Sequence, residues 1–136
     1  NFSCLEDKIQ SLVCQKPTAI EVLEAITKIF PNQKGIPQNT KSACKRLCLF
    51  LRWMIRKNSE VDFGIWNILQ EKDLIIPLDT HVFRISKQLS LTNRKQADML
   101  SAIQITEKLK TTFPDDPLLG DYALFGYGVK HQEKTK

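Results

Sequence analysis

Apolar residues recur at three- and four-residue steps along almost the whole chain, and this period constrains its fold more than any other feature. Ile20, Leu23, Ile26 and Phe30 keep that spacing, which stacks side chains on one face of a helix. Val82, Ile85 and Leu89 repeat it, as do Met99, Ala102, Ile103, Leu109 and Phe113. Strand-like alternation bounded by hairpin turns does not occur. The expected fold is therefore all-α, a compact multi-helix domain.

Start and stop signals divide the pattern. Ser3 with Glu6, and Thr18 with Glu21, have the spacing of a capping box. In that motif a hydroxyl accepts from a first-turn N–H while the carboxylate accepts from the N-cap N–H. The helix opened by Thr18 should end at Pro31. Asn32 to Thr40, with Gly35 and Pro37, reads as a loop, and a long helix is expected from about Lys41 to Lys57. Asp62 should cap a short helix through Trp66 and Leu69, with an apolar link following from Leu74 to Pro77. Asp79 stands just before the helix that carries Val82. In Asp116-Pro117 the Asp can cap while the Pro takes the first helical position, opening a last helix with Leu119, Tyr122, Ala123 and Val129 inward. The polar residues after His131 should fray. No repeat or linker interrupts the chain, so residues 1–136 read as a single helical domain.

Composition removes several classes. A chain of 136 residues, 42% hydrophobic and 26% charged, can bury a core of its own. No apolar run approaches the roughly 18 residues needed to span a bilayer, and the N-terminus lacks the pattern of a signal peptide. The expectation is a cytoplasmic protein with no membrane partner. Cys4, Cys14, Cys44 and Cys48 match no secreted disulfide framework and read as free thiols. Cys44 and Cys48 would share a helix face, but nothing completes a metal site around them, so they read as small buried side chains and no metal is expected. A net charge of +5 suits a polyanionic partner without requiring one.

Two places could carry chemistry. At about 100° per residue, Lys41, Lys45, Arg52 and Arg56 fall within about 60° of one another, and no acidic residue lies between Lys41 and Lys57. Either this basic edge faces phosphates, or its cations pair with carboxylates from elsewhere in the fold. Lys41 would feel the positive end of the helix dipole, with Lys45 one turn away. Both effects disfavour an ammonium and favour a nucleophilic amine, although a lysine pointing into water is the simpler reading. The second place is Ile76 to Val82. There Asp79 at a helix N-cap would be kept ionised and aimed by backbone N–H groups, and capping alone would account for it. His81 reads as a base or as a first-turn surface residue.

Pro77-Leu78-Asp79-Thr80-His81-Val82-Phe83-Arg84 resembles the segment of helix-hairpin-helix DNA glycosylases that carries their essential aspartate. Thr40-Lys41-Ser42-Ala43 is similar to the start of the helix where bifunctional members carry their Schiff-base lysine. Pro114-Asp115-Asp116-Pro117 and Asp121-Tyr122-Ala123-Leu124-Phe125-Gly126 resemble the last helix of that core. Over about residues 30–130 the order agrees, and the chain looks closest to an uncharacterised bacterial branch of this endonuclease III and 8-oxoguanine glycosylase-like superfamily. The resemblance implies DNA base-excision repair on a flipped-out damaged base. Asp79 would stabilise the charge on the sugar, and Lys41 or Lys45 would serve as nucleophile if the enzyme is also an abasic-site lyase. Arg52, Arg56, Gln38 and His81 would contact nucleic acid, and no cofactor is implied.

The sequence departs from that family at two points. Gly35-Ile36-Pro37-Gln38-Asn39 replaces the Gly-rich hairpin, and Asn58 to Leu74 reads as an insertion between Lys41 and Asp79. The family fold has two helical subdomains with a groove between them, so a chain of this length beginning at Asn1 is expected to be incomplete at its N-terminus. Two other readings stand beside the enzyme: a non-catalytic nucleic-acid-binding module on the same scaffold, and a helical protein-interaction domain.

Overall fold

A computed structural model describes residues 2–57, 59–121, 123, 124, 126 and 127, and over these the helical period resolves into five α-helices and no named strand. They are α1 (Phe2–Leu12), α2 (Ala19–Ile29), α3 (Lys45–Ile55), α4 (Thr80–Gln88) and α5 (Met99–Lys110), with a 3-10 turn at Glu71–Asp73. Helical backbone returns at 119–121, 123, 124, 126 and 127. Tyr122, Val129 and the tail after His131, for which inward packing or fraying was expected, lie outside the described residues.

Capping chemistry sets several starts. Thr18 and Glu21 form the full capping box of α2, as its sequence predicts. Ser3 lies inside α1, and Glu6 serves a different purpose: its carboxylate accepts the N–H groups of Asn67 and Ile68 at 2.6 and 3.0 Å, tying α1 to the long loop. Asp79 caps α4 by accepting from Val82 N–H at 2.8 Å. Asp98 caps α5 through Ser101 N–H at 3.0 Å.

The helix expected to begin at Lys41 begins at Lys45. Cys44 takes a left-handed conformation (φ 50) that breaks the helical run before it. Ser42 instead forms an isolated antiparallel bridge with Asp98, and Met99 N–H donates to Lys41 O at 3.1 Å. The loop before α3 is thus held against the start of α5.

The short helix expected from Asp62 to Leu69 is absent. Phe63 and Gly64 N–H groups donate to Trp53 O at 2.8 and 3.0 Å, and Trp66 N–H to Met54 O at 2.8 Å. The segment thereby satisfies carbonyls at the end of α3, which would otherwise lack partners. Gly64 enables the close approach. It sits at φ +60, and a Cβ there would lie 2.6 Å from Arg56 O.

The core draws on all five α-helices. Val22 and Leu23 of α2, Leu51 and Ile55 of α3, Ile105 of α5 and Leu118 are at most 2% exposed. Each such side chain contributes about 1.5–3 kcal/mol through burial. The apolar link crosses this core with Ile76 fully buried. Its N–H donates to Thr106 Oγ1 at 3.0 Å while that hydroxyl donates to Ala102 O at 2.7 Å, so this buried donor of the non-helical link is satisfied. Asp79 emerges where the link reaches the surface.

Other expectations at the C-terminal side are corrected. Asp116 does not cap a helix; its carboxylate faces Arg56. Leu119 is 45% exposed and Ala123 is exposed, whereas Leu118 and Leu124 point inward. Leu89, expected on the buried face of α4, follows that helix as its C-cap and is exposed. Cys44 and Cys48 are buried, and all four cysteines are free thiols.

Candidate functional site

Two helix starts meet at the surface. Lys45 is the first residue of α3 and Asp79 is the N-cap of α4. Lys45 Nζ lies 3.2 Å from Asp79 Oδ2, with the side chains 50% and 36% exposed. The other Asp79 oxygen is fixed by Val82 N–H. Burial pushes the Asp79 carboxyl up, but the Val82 N–H, the Lys45 ammonium and the neighbouring His81 outweigh it and hold it below the usual carboxylate range. His81, half-buried in the first turn of α4, lies with Nδ1 3.1 Å from Arg84 Nη2.

A second carboxyl meets α3 at Arg52, two turns beyond Lys45. Asp121 Oδ2 is 3.5 Å from Arg52 Nη1, and its side chain is 13% exposed. Burial raises it to about 6; Arg52 and Lys45 oppose the shift, and the Asp79 charge adds to it. Asp121 therefore shares one electrostatic field with Lys45 and Asp79.

The rest of the basic stripe turns inward. Arg56 is 4% exposed. Its Nε and Nη2 donate to Asp116 Oδ2 at 3.0 and 2.7 Å, and its Nη1 to Asp62 Oδ2 at 2.8 Å. Arg52 is 15% exposed and also approaches Asp62, at 3.6 Å. Arg52 and Arg56, expected at phosphates, face carboxylates here: Asp62 and Asp121 at Arg52, Asp62 and Asp116 at Arg56, the pairing that the pattern left open as its alternative. A buried guanidinium without such partners would cost several kcal/mol, so the pairing is a condition of its burial.

Lys41 is exposed on the loop before α3, its N–H donating to Asn39 Oδ1 at 2.9 Å. Gln38 is an exposed residue of the same loop. The structure brings Lys45 to Asp79, and no ion pair between Lys41 and Asp79 occurs among the described residues. Sequence reasoning missed Asp121. Its signal was its position three residues after Leu118 and three before Leu124, a carboxyl on the buried face of a helical stretch. Lys34 and Arg46 were also passed over. Both are exposed, and a Cβ on Gly35 would lie 3.4 Å from Arg46 Nη1, so the loop and the first turn of α3 form one basic edge.

A separate cleft of about 670 Å³ opens between the start of α2, the loop around Leu69 and Leu74, and Thr106 and Lys110 of α5. Neither Lys45 nor Asp79 lines it. Among the described residues no group of three or more His, Cys, Asp or Glu could hold a metal ion, and no helix is long and apolar enough to cross a membrane.

A family model described as "Protein of unknown function (DUF2400)" matches residues 3–130. No curated protein and no solved structure matches the chain.

Proposed function

The chain belongs to the DUF2400 family of proteins of unknown function, and we propose that it is a DNA base-excision glycosylase with abasic-site lyase activity. The observation that carries this reading is the 3.2 Å contact between Lys45 Nζ and Asp79 Oδ2 at two exposed helix starts. Chemistry at a sugar C1′ needs two groups. A primary amine must bond to the carbon, and a carboxylate must stabilise the positive charge that builds as the base leaves. Both stand here within reach of one reacting atom.

Asp79 is suited to the second role because its capping bonds keep it ionised and aimed. Lys45 is suited to the first because its exposed side chain can leave Asp79 and turn toward substrate. A damaged base would be flipped out of the duplex to reach the pair. Lys34, Lys41 and Arg46 on the adjoining edge would neutralise phosphates, in place of Arg52 and Arg56. Gln38, exposed on the loop before α3, and His81, in the first turn of α4, would add contacts to nucleic acid.

The test is borohydride trapping on duplexes that contain abasic sites or oxidised bases. The expected result is a covalent adduct that Lys45→Ala abolishes and Lys41→Ala retains, with base release slowed in Asp79→Asn. An adduct undiminished in Lys45→Ala removes this lysine from the reaction. The exposed cations and the missing Gly-rich hairpin favour one other reading, a nucleic-acid-binding module without catalysis. Salt-sensitive DNA affinity with no product would select it.

A further inference from the structure

The cleft beside α2 and α5 takes no part in the chemistry assigned to Lys45 and Asp79, yet its volume of about 670 Å³ falls within the roughly 300–1,000 Å³ of small-ligand sites. Three stretches far apart in sequence build it. Ile103, Thr106, Glu107 and Lys110 of α5 supply one wall, at the three- and four-residue spacing that shares a helix face. The loop from Gln15 to Thr18 and the first residues of α2 supply a second, and the chain from Asn67 to Ile75 a third. That third wall is held in place from both ends. Glu6 of α1 accepts the N–H groups of Asn67 and Ile68, and Thr106 accepts that of Ile76, the next residue of the link. A cleft so fixed does not have to be ordered when a ligand enters.

The lining divides into an apolar floor and a cationic rim. Ile68, Leu69, Leu74 and Ile75 are at most 8% exposed, and Ile20 and Ile103 pack against the same core while half-buried. Lys16, Lys72 and Lys110 line the cleft, one from each stretch. Two carboxylates line it as well, and both are engaged. Asp73 Oδ2 accepts the Gln70 N–H at 3.0 Å, and Glu107 Oε1 lies 3.1 Å from Lys110 Nζ. No ion pair of Lys16 or Lys72 occurs among the described residues. Three ammonium groups against two occupied carboxylates leave the cleft positive. A neutral apolar ligand would gain nothing from that charge, and a bare inorganic ion would gain nothing from the floor; a molecule that combines an apolar body with an anionic head gains from both.

We propose that this cleft binds a small organic anion, its apolar body on the floor formed by Leu69, Leu74 and Ile103 and its carboxylate, sulfonate or phosphate head held by Lys16 and Lys72. The site shares no residue with the Lys45–Asp79 pair, so it stands whether or not the chain acts on DNA.

Anilinonaphthalene sulfonate, a flat apolar body with one negative charge, is the probe, and phenylnaphthylamine is its neutral counterpart. Titrated into the whole folded chain and followed by amide chemical shifts, the sulfonate should saturate one site, move the signals of Lys16, Leu69, Lys72 and Ile103, and bind more tightly than the neutral compound. Lys16→Gln and Lys72→Gln should each weaken it by about two- to fivefold and leave the neutral compound unaffected; added salt should weaken it likewise. Ile103→Trp should fill the floor and abolish binding of both. Because that change alters packing, the exposed Lys72→Glu is the companion variant, expected to weaken the sulfonate more than Lys72→Gln does at an unchanged melting temperature. Shifts centred on the exposed Val61, Phe63 and Ile65, or equal affinity for the two compounds in every variant, overturn the proposal.

Discussion

Arg56→Met decides whether the basic stripe of α3 serves stability or phosphate binding. Among the described residues the guanidinium donates at 2.7–3.0 Å to carboxylates that are 0% (Asp62) and 18% (Asp116) exposed. Methionine would fill much of the space but leave both acids short of a partner. Breaking a buried ion pair from one side costs about 3–5 kcal/mol, because the remaining charge is stranded. Arg52 still lies 3.6 Å from Asp62, so the lower end of that range applies, about 3 kcal/mol. Against a total of about 5–15 kcal/mol for a domain, the loss is large, and it should lower the melting temperature by roughly 10 °C. Urea unfolding should show a lower midpoint with an unchanged slope. Adding Asp116→Leu should recover part of the loss by removing one stranded charge. DNA affinity, measured on the folded variant across salt concentrations, should keep its salt dependence. A stability change under about 0.5 kcal/mol, joined to a salt slope reduced by about one unit, would refute the reasoning and return Arg56 to the phosphates.

Two further outcomes follow from particular contacts. Gly64→Ala should destabilise by about 2–3 kcal/mol, because it adds left-handed strain to a Cβ placed 2.6 Å from the backbone oxygen of Arg56; a chemical-denaturation midpoint equal to wild type would show that the loop relaxes freely. Asp98 is held at about 2 by Arg94 first and then by Ser101 N–H, below its unfolded value of about 3.9. Its contribution is therefore present above about pH 4 and disappears as pH falls through about 2. Asp98→Asn, which can still cap α5, should melt lower than wild type at neutral pH, and the gap should close on acidification; a gap independent of pH would mean the Arg94 pair contributes nothing.

What the sequence revealed was local, and what it hid was tertiary. Thr18 with Glu21, and Asp79 before Val82, are legible because a cap is made by residues three apart. The start of α3 was not legible, because Lys41, Ser42 and Ala43 carry no helix breaker. What stops the helix is the left-handed Cys44 and the bridge from Ser42 to Asp98. Asp62 looked like a cap for the same reason that Asp116 did: both precede helix-compatible residues. Both side chains go to Arg56 instead, and no local rule records that a buried guanidinium six or sixty residues away needs a partner. For the candidate site, one carboxylate and two alternative lysines could be read from the chain. The choice of Lys45 and the presence of Asp121 came only with coordinates.

The edge of α3 explains why reactivity would fall on Lys45. Its cations are spaced so that they share a face, but they do not share an environment: exposure drops from 50% at Lys45 to 15% at Arg52 and 5% at Arg56. The number of carboxylates rises as exposure falls, from one at Lys45 to two at each arginine. Desolvation is the reason, since a buried charge must be matched by counter-charge whereas an exposed one is satisfied by water. The same gradient ranks the pairs by how easily they open. A solvent-exposed ion pair contributes about 0–1 kcal/mol, while breaking a buried one costs about 3–5 kcal/mol. Only the exposed end of the stripe can release its carboxylate without stranding a buried charge in the core.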